Sequence, residues 1–271
     1  MLGKLIKNEF NSNLHSIGLI YAVAAICVGF MALSYVFKIT WISAVATVIL
    51  MLAGGAAVLV TLVCVVMNFQ KSLYRDEGYL FFTLPVTSGQ LLTAKTICSF
   101  CWMLLSCVAA IGIFFGVYIY ASMMVGDDVK VALELISTFF LQLPSKGTII
   151  EVIVLICLYC FLLLVVLIAQ LYFAITIANT RVLQKLGAFS GFAAFLAIFI
   201  VMTVCYTYLT NSIPLTLVVT TDGVFYTTAV SMAENSLGIS FGLAGIIFDI
   251  IAAAALFWGT GRLMNSKINI K

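Results

Sequence analysis

The sequence predicts an all-α membrane protein: six transmembrane helices, a short interfacial helix before them, and both termini in the cytoplasm. Three observations lead there. Of 271 residues, 64% are hydrophobic and only 8% are charged, against about 25% charged in soluble domains. The mean hydropathy of +1.24 leaves too little polar surface to cover a soluble core. Leu, Val, Ile and Phe come in runs of about 20 or more, the length a helix needs to cross hydrocarbon. Membrane barrels instead use alternating strands of about 10 residues.

The elements follow in order. Residues 2–10 (LGKLIKNEF) set Leu2, Leu5, Ile6 and Phe10 near one helical face, with Lys4 and Lys7 mostly elsewhere. That is the pattern of a helix lying in the inner interface, and it occupies 1–15. The transmembrane domain takes 16–271, with spans near 16–37, 41–68, 96–122, 148–177, 186–210 and 237–260. The polar start is too long for a cleaved signal peptide, and the first apolar run exceeds an h-region.

Direction comes from Lys and Arg. With the N-terminus inside, the cytoplasmic side holds Lys4, Lys7, Lys71, Arg75, Lys95, Arg181, Lys185, Arg262, Lys267 and Lys271, ten of the chain's 13. Lys38, Lys130 and Lys146 remain outside, so the bias is positive-inside. Most acids fall on the outer side: Asp127, Asp128, Glu134, Glu151, Asp222 and Glu234.

Two outer connections are long, 123–147 and 211–238. In the first, 131–143 (VALELISTFFLQL) has the pattern of an amphipathic helix. In the second, LVVTTDGVFYTT puts strand-forming residues on both sides of Asp222-Gly223, a hairpin signal that a re-entrant turn would share.

The cytoplasmic connection over 69–95 is unusual. Its core reads YRDEGYLFFTLPVTSGQLLTAK. Gly78 and the Leu84-Pro85 step interrupt helix, and Thr87 or Ser88 can cap a new one. Before Gly78, FQKSLYRDE can continue the second span. Charges at one end, Tyr79, Leu80, Phe81 and Phe82 in the middle and a rigid turn make up the composition of a docking surface. Aromatics resting among lipid headgroups have the same composition.

DEGYLFFTLPVTSGQLLTAK resembles a motif of permease subunits of type 2 ABC exporters from Gram-positive bacteria. In that family it follows the second span. The motif covers about 20 residues, and the layout of an interfacial helix and six spans is similar too. The resemblance implies a permease subunit of an ATP-driven exporter in the bacterial cell membrane, moving amphipathic peptide, antibiotic or lipid-like material outward. It implies two copies of an ABC ATP-binding subunit, which would hold ATP and Mg, and a second permease, identical or related. Arg75, Asp76, Glu77, Tyr79, Leu80, Phe81 and Phe82 would meet the ATP-binding subunit, with Arg181 and Lys185 of the turn 178–185 as a lesser contact. Spans one and five face the partner permease in that family, which makes Gly187 and Gly191 candidates for the dimer seam.

No G-x-x-x-x-G-K-[ST] phosphate loop occurs in the chain, so it holds no ATP site of that kind. No Ser/His/Asp grouping suggests a catalytic triad, and no basic stripe suggests nucleic acid. The permease is expected to be no enzyme and to carry no cofactor itself. The eight cysteines include two CxxC pairs, Cys98/Cys101 and Cys157/Cys160, inside apolar spans. Without His or carboxylate nearby in sequence they read as small apolar fillers.

Asp249 is the single ionisable residue deep in a span, near the centre of the sixth. A carboxylate there costs several kcal/mol unless it is protonated, hydrogen-bonded or facing water. It reads as an interhelical polar contact, with Gln170 or a Thr or Tyr hydroxyl as partner, or as part of a translocation path. Gly187-x-x-x-Gly191, Gly238-x-x-x-Gly242 and the Gly54-Gly55-Ala56-Ala57 patch are small-residue ridges that let helices approach. Two other functions fit the same sequence: an ATP-independent membrane immunity or sensor protein, and a secondary transporter using Asp249.

Overall fold

The structure is a computed structural model and describes residues 2–37, 40–74, 88–125, 146–180, 183, 189–213, 215–220, 223–228 and 236–266. It divides into two compact units, Met1–Ala132 with Ile270–Lys271, and Leu133–Asn269. Nearly all of it is helix, as an apolar chain in lipid requires, because a helix satisfies its own N–H and C=O groups.

Unit 1 contains α1 (Leu2–Phe37), α2 (Thr40–Tyr74) and α3 (Ser88–Val125). α1 is one uninterrupted helix, so the stretch expected to lie apart in the interface and the first apolar run share one element. α2 continues past the expected end of the second span to Tyr74, and α3 starts at Ser88. Pairings fix the directions. Phe10 stacks on Trp102, and further along Tyr21 meets Ser106, so α1 and α3 run parallel. Thr61 meets Ser106, while a methyl on Gly54 would stand 3.3 Å from Ile113, so α2 runs antiparallel to α3.

One hydroxyl chain ties the three helices. Thr61 donates to the Ala57 carbonyl at 2.7 Å. Each hydroxyl has a single proton, so Ser106 donates to Thr61 at 2.6 Å, and Tyr21 donates to Ser106 at 2.7 Å. Ser106 and Thr61 are fully buried. Of the Gly54-Gly55 pair, only Gly54 has a close neighbour on another helix.

Unit 2 contains α4 (Lys146–Ala178), α5 (Phe189–Ser212), the strands β1 (Leu215–Thr220), β2 (Gly223–Thr228) and β3 (Ser236–Gly242), and α6 (Leu243–Ser266). α4 ends where Asn179 and Thr180 take over its last carbonyls. The Asn179 side-chain amide donates to Ile175 O at 2.8 Å, and the Thr180 hydroxyl to Ile177 O at 2.7 Å. Tyr159 of α4 lies within electrostatic range of Asp249 in α6, and further along a methyl on Gly259 would meet Phe173, so α4 and α6 run parallel; Tyr159 also packs edge-on against Phe241 of β3.

The three strands form an antiparallel sheet in the order β2-β1-β3. The expected hairpin is present, with its loop one residue earlier than the Asp-Gly signal: Thr220 pairs with Gly223, leaving 221–222 as the connection. β3 is an addition to the all-α expectation. SLGISFG pairs with β1 from Thr216↔Gly242 to Thr220↔Ser236, with an irregularity between Val218 and Thr220. Gly238-x-x-x-Gly242 is therefore strand and not a helical ridge.

Among the described residues, five helices are long and apolar enough to cross a membrane: Ala44–Tyr74 in α2, Gly89–Tyr120 in α3, Ile149–Ala178 in α4, Phe189–Ser212 in α5 and Leu243–Met264 in α6. Their outward faces carry side chains such as Leu52, Leu59, Ile111, Leu158, Phe192, Phe199, Ile247 and Ile251. An apolar surface of that extent suits lipid and would aggregate in water.

Candidate functional site

Two places are candidates for a functional site, one in each unit. In unit 1 it is the pair of stems flanking 75–87. Arg75, Asp76, Glu77, Tyr79, Leu80, Phe81 and Phe82 lie outside the described residues. The stems on either side are described. The last turns of α2 bury Phe69, Ser72, Leu73 and Tyr74, with the Phe69 and Tyr74 rings 6.2 Å apart. The first turns of α3 bury Leu91, Leu92, Ala94 and Lys95. Both stems are thus packed into unit 1 at the positions where they adjoin 75–87.

Sequence reasoning missed one feature of these stems. Lys95 donates to Glu9 Oε1 at 2.6 Å, with side-chain exposures of 3% and 6%. The sequence assigned Lys95 to the cytoplasmic charge bias, and nothing local marks Glu9 as its partner. Phe10, next to Glu9, stacks on Trp102 with ring centres 4.6 Å apart. Trp102 in turn packs with Ile17 and Cys98. The CxxC residues of α3 diverge: Cys98 is buried and Cys101 exposed.

In unit 2 the place is Asp249, which is 6% exposed. Because Ser236–Gly242 is strand, α6 begins only at Leu243. Asp249 therefore stands in its second turn, about 9 Å along the helix, and not at mid-span as the sequence suggested. Two phenols converge there. Tyr159 of α4 is within hydrogen-bonding reach of Tyr206 of α5, and Asp249 lies in its electrostatic range. Gly245 permits this arrangement, since the Tyr206 ring lies where a side chain at 245 would be. Three helices thus bring one carboxyl and two phenols together inside an apolar unit.

Gln170 is buried too, but elsewhere. It lies 11 positions beyond Tyr159, about 16 Å further along α4, at the level where Phe173 meets Gly259. Of the expected partners, Gln170 lies away from Asp249 along the unit, and the phenol of Tyr159 lies within its electrostatic range. Gly191 faces the end of its own unit's α4, since a methyl there would stand 3.9 Å from Ala178 Cβ. Arg181, Lys185 and Gly187 lie outside the described residues.

Among the described residues, no group of three or more His, Cys, Asp or Glu converges as a metal-binding cluster. Compared with protein-family models, with curated proteins and with solved structures, the chain matches none.

Proposed function

We propose that this chain is the membrane-spanning subunit of an ATP-driven exporter, a six-span permease with both termini in the cytoplasm of a bacterial cell. The observation that carries the proposal is the stretch DEGYLFFTLPVTSGQLLTAK, with its resemblance to the permeases of type 2 ABC exporters. One further feature supports it. The stretch sits between α2 and α3, whose adjoining turns are buried, so a partner pressing there acts on the bundle.

The working scheme has two ATP-binding subunits close on ATP, with their surfaces seated on 75–82. The displacement tilts the helices of one permease against its partner permease and releases an amphipathic substrate outward. Copurification from bacterial membranes tests the scheme. The tagged chain should bring down a protein bearing a phosphate loop, and the complex should hydrolyse ATP. Tyr79→Ala with Phe81→Ala should abolish both while leaving the chain in the membrane. A doubly substituted chain that retains its ATPase would refute this docking surface.

Asp249 favours one other reading, secondary transport. A buried carboxyl within electrostatic range of a phenol on a neighbouring helix is a group that a transported cation or proton can use. Uptake or efflux that follows a proton gradient, without ATP, and is lost in Asp249→Asn would establish it.

A further inference from the structure

Glu9 and Lys95 are 86 positions apart in the chain and 2.6 Å apart in space, and both are almost wholly buried. A buried ion pair seldom stabilises a fold better than two apolar side chains of similar size. Where such pairs persist, fixing a register or a switch is the best-attested use. Here the register is that of α1 on α3. The neighbouring Phe10–Trp102 stack reinforces it, and among the described residues the Trp102 indole N–H has no hydrogen-bond acceptor, so the ring faces make the contact with α1.

The location gives the pair its meaning. Lys95 lies seven residues after Ser88, about 10 Å from the end of α3 at which the chain emerges from 75–87. Glu9 lies at the same distance from the start of α1. We propose that the Glu9–Lys95 pair is a positioning contact that joins the N-terminal ends of α1 and of α3, about two turns in, into one body, so that whatever displaces 75–87 also moves the N-terminal helix. The partner delivering that displacement rests on the exporter reading; the contact itself does not.

Hydrogen exchange on the full chain in lipid nanodiscs tests the contact. Glu9→Gln should raise exchange at least tenfold in both 2–12 and 88–98, and Lys95→Met should do the same. The charge-swapped double variant Glu9→Lys with Lys95→Glu should return both stretches to within threefold of wild type. A rise confined to one stretch, no rise, or no recovery in the swap overturns the proposal.

A second readout separates positioning from mere stability. A fluorophore on Asn11→Cys, an exposed site on α1, should respond when the copurified ATP-binding subunit is trapped with ATP and vanadate. The response should vanish in Glu9→Gln although the subunit still binds, and return in the swap. A response that survives Glu9→Gln overturns the proposal. Paired exchange in a chain that binds no ATP-binding subunit would sustain the contact and remove the motor.

Discussion

Gly245→Ala is a sharp probe of unit 2, because its sign depends on a residue in another helix. The added Cβ would stand 2.4 Å from Tyr206 Cε2, 2.7 Å from Cζ and 2.9 Å from the phenol oxygen. Carbon atoms prefer about 3.5 Å or more, so the ring must retreat by about 1 Å, away from its place beside Tyr159. Such overpacking costs about 1–3 kcal/mol. Exchanging Gly for Ala inside a helix returns about 1 kcal/mol. The single variant should therefore be less stable than wild type by about 1 kcal/mol. In a Tyr206→Ala background the collision is gone and only the helix gain remains, so the same substitution should stabilise by about 1 kcal/mol. The coupling between the two sites is then about 2 kcal/mol, well above what additivity tolerates. Reversible unfolding in mixed micelles measures all four corners of the cycle. If Gly245→Ala has the same sign with and without Tyr206, the ring does not occupy that space.

Three further outcomes follow from the same geometry. Replacing Glu9 by Leu or Lys95 by Met alone should lower stability by about 3–5 kcal/mol, while the two together should be near neutral or stabilising; a double variant no better than the singles would contradict a dry, paired site. Ser106→Ala breaks two interhelical hydrogen bonds and should cost about 1–2 kcal/mol, with Tyr21→Phe nearer 0.6 kcal/mol, both read from the same unfolding titrations. Asp249→Asn keeps the side chain's shape and should leave ATP-driven export little changed in reconstituted vesicles, whereas transport coupled to a proton gradient would be lost.

Much of the architecture is written in local patterns. Apolar runs of spanning length announced the helices, the Leu84-Pro85 step followed by Ser88 announced the start of α3, and the residues around Asp222-Gly223 announced a hairpin. Features that depend on distant partners were not legible. SLGISFG reads as the beginning of an apolar helix, and it becomes β3 because β1 offers it an unpaired edge. That single change also moved Asp249 from mid-span to the second turn of α6. The Glu9–Lys95 pair unites charges 86 positions apart, and no periodicity encodes such a pairing. The small residues that matter in α6 are Gly245 and Gly259, each under an aromatic ring. A spacing rule picked Gly238 and Gly242 instead because it counts small residues without knowing which large ones face them.

Photo-crosslinking from Tyr79 in intact bacterial membranes tests the central claim most directly. With a benzophenone amino acid at that position, the account predicts an adduct with a phosphate-loop ATP-binding subunit, and no such adduct when the probe is moved to the exposed Leu52 within α2. Adducts with lipid or with the chain itself alone would show that no motor rests on this segment, and the exporter account would fall.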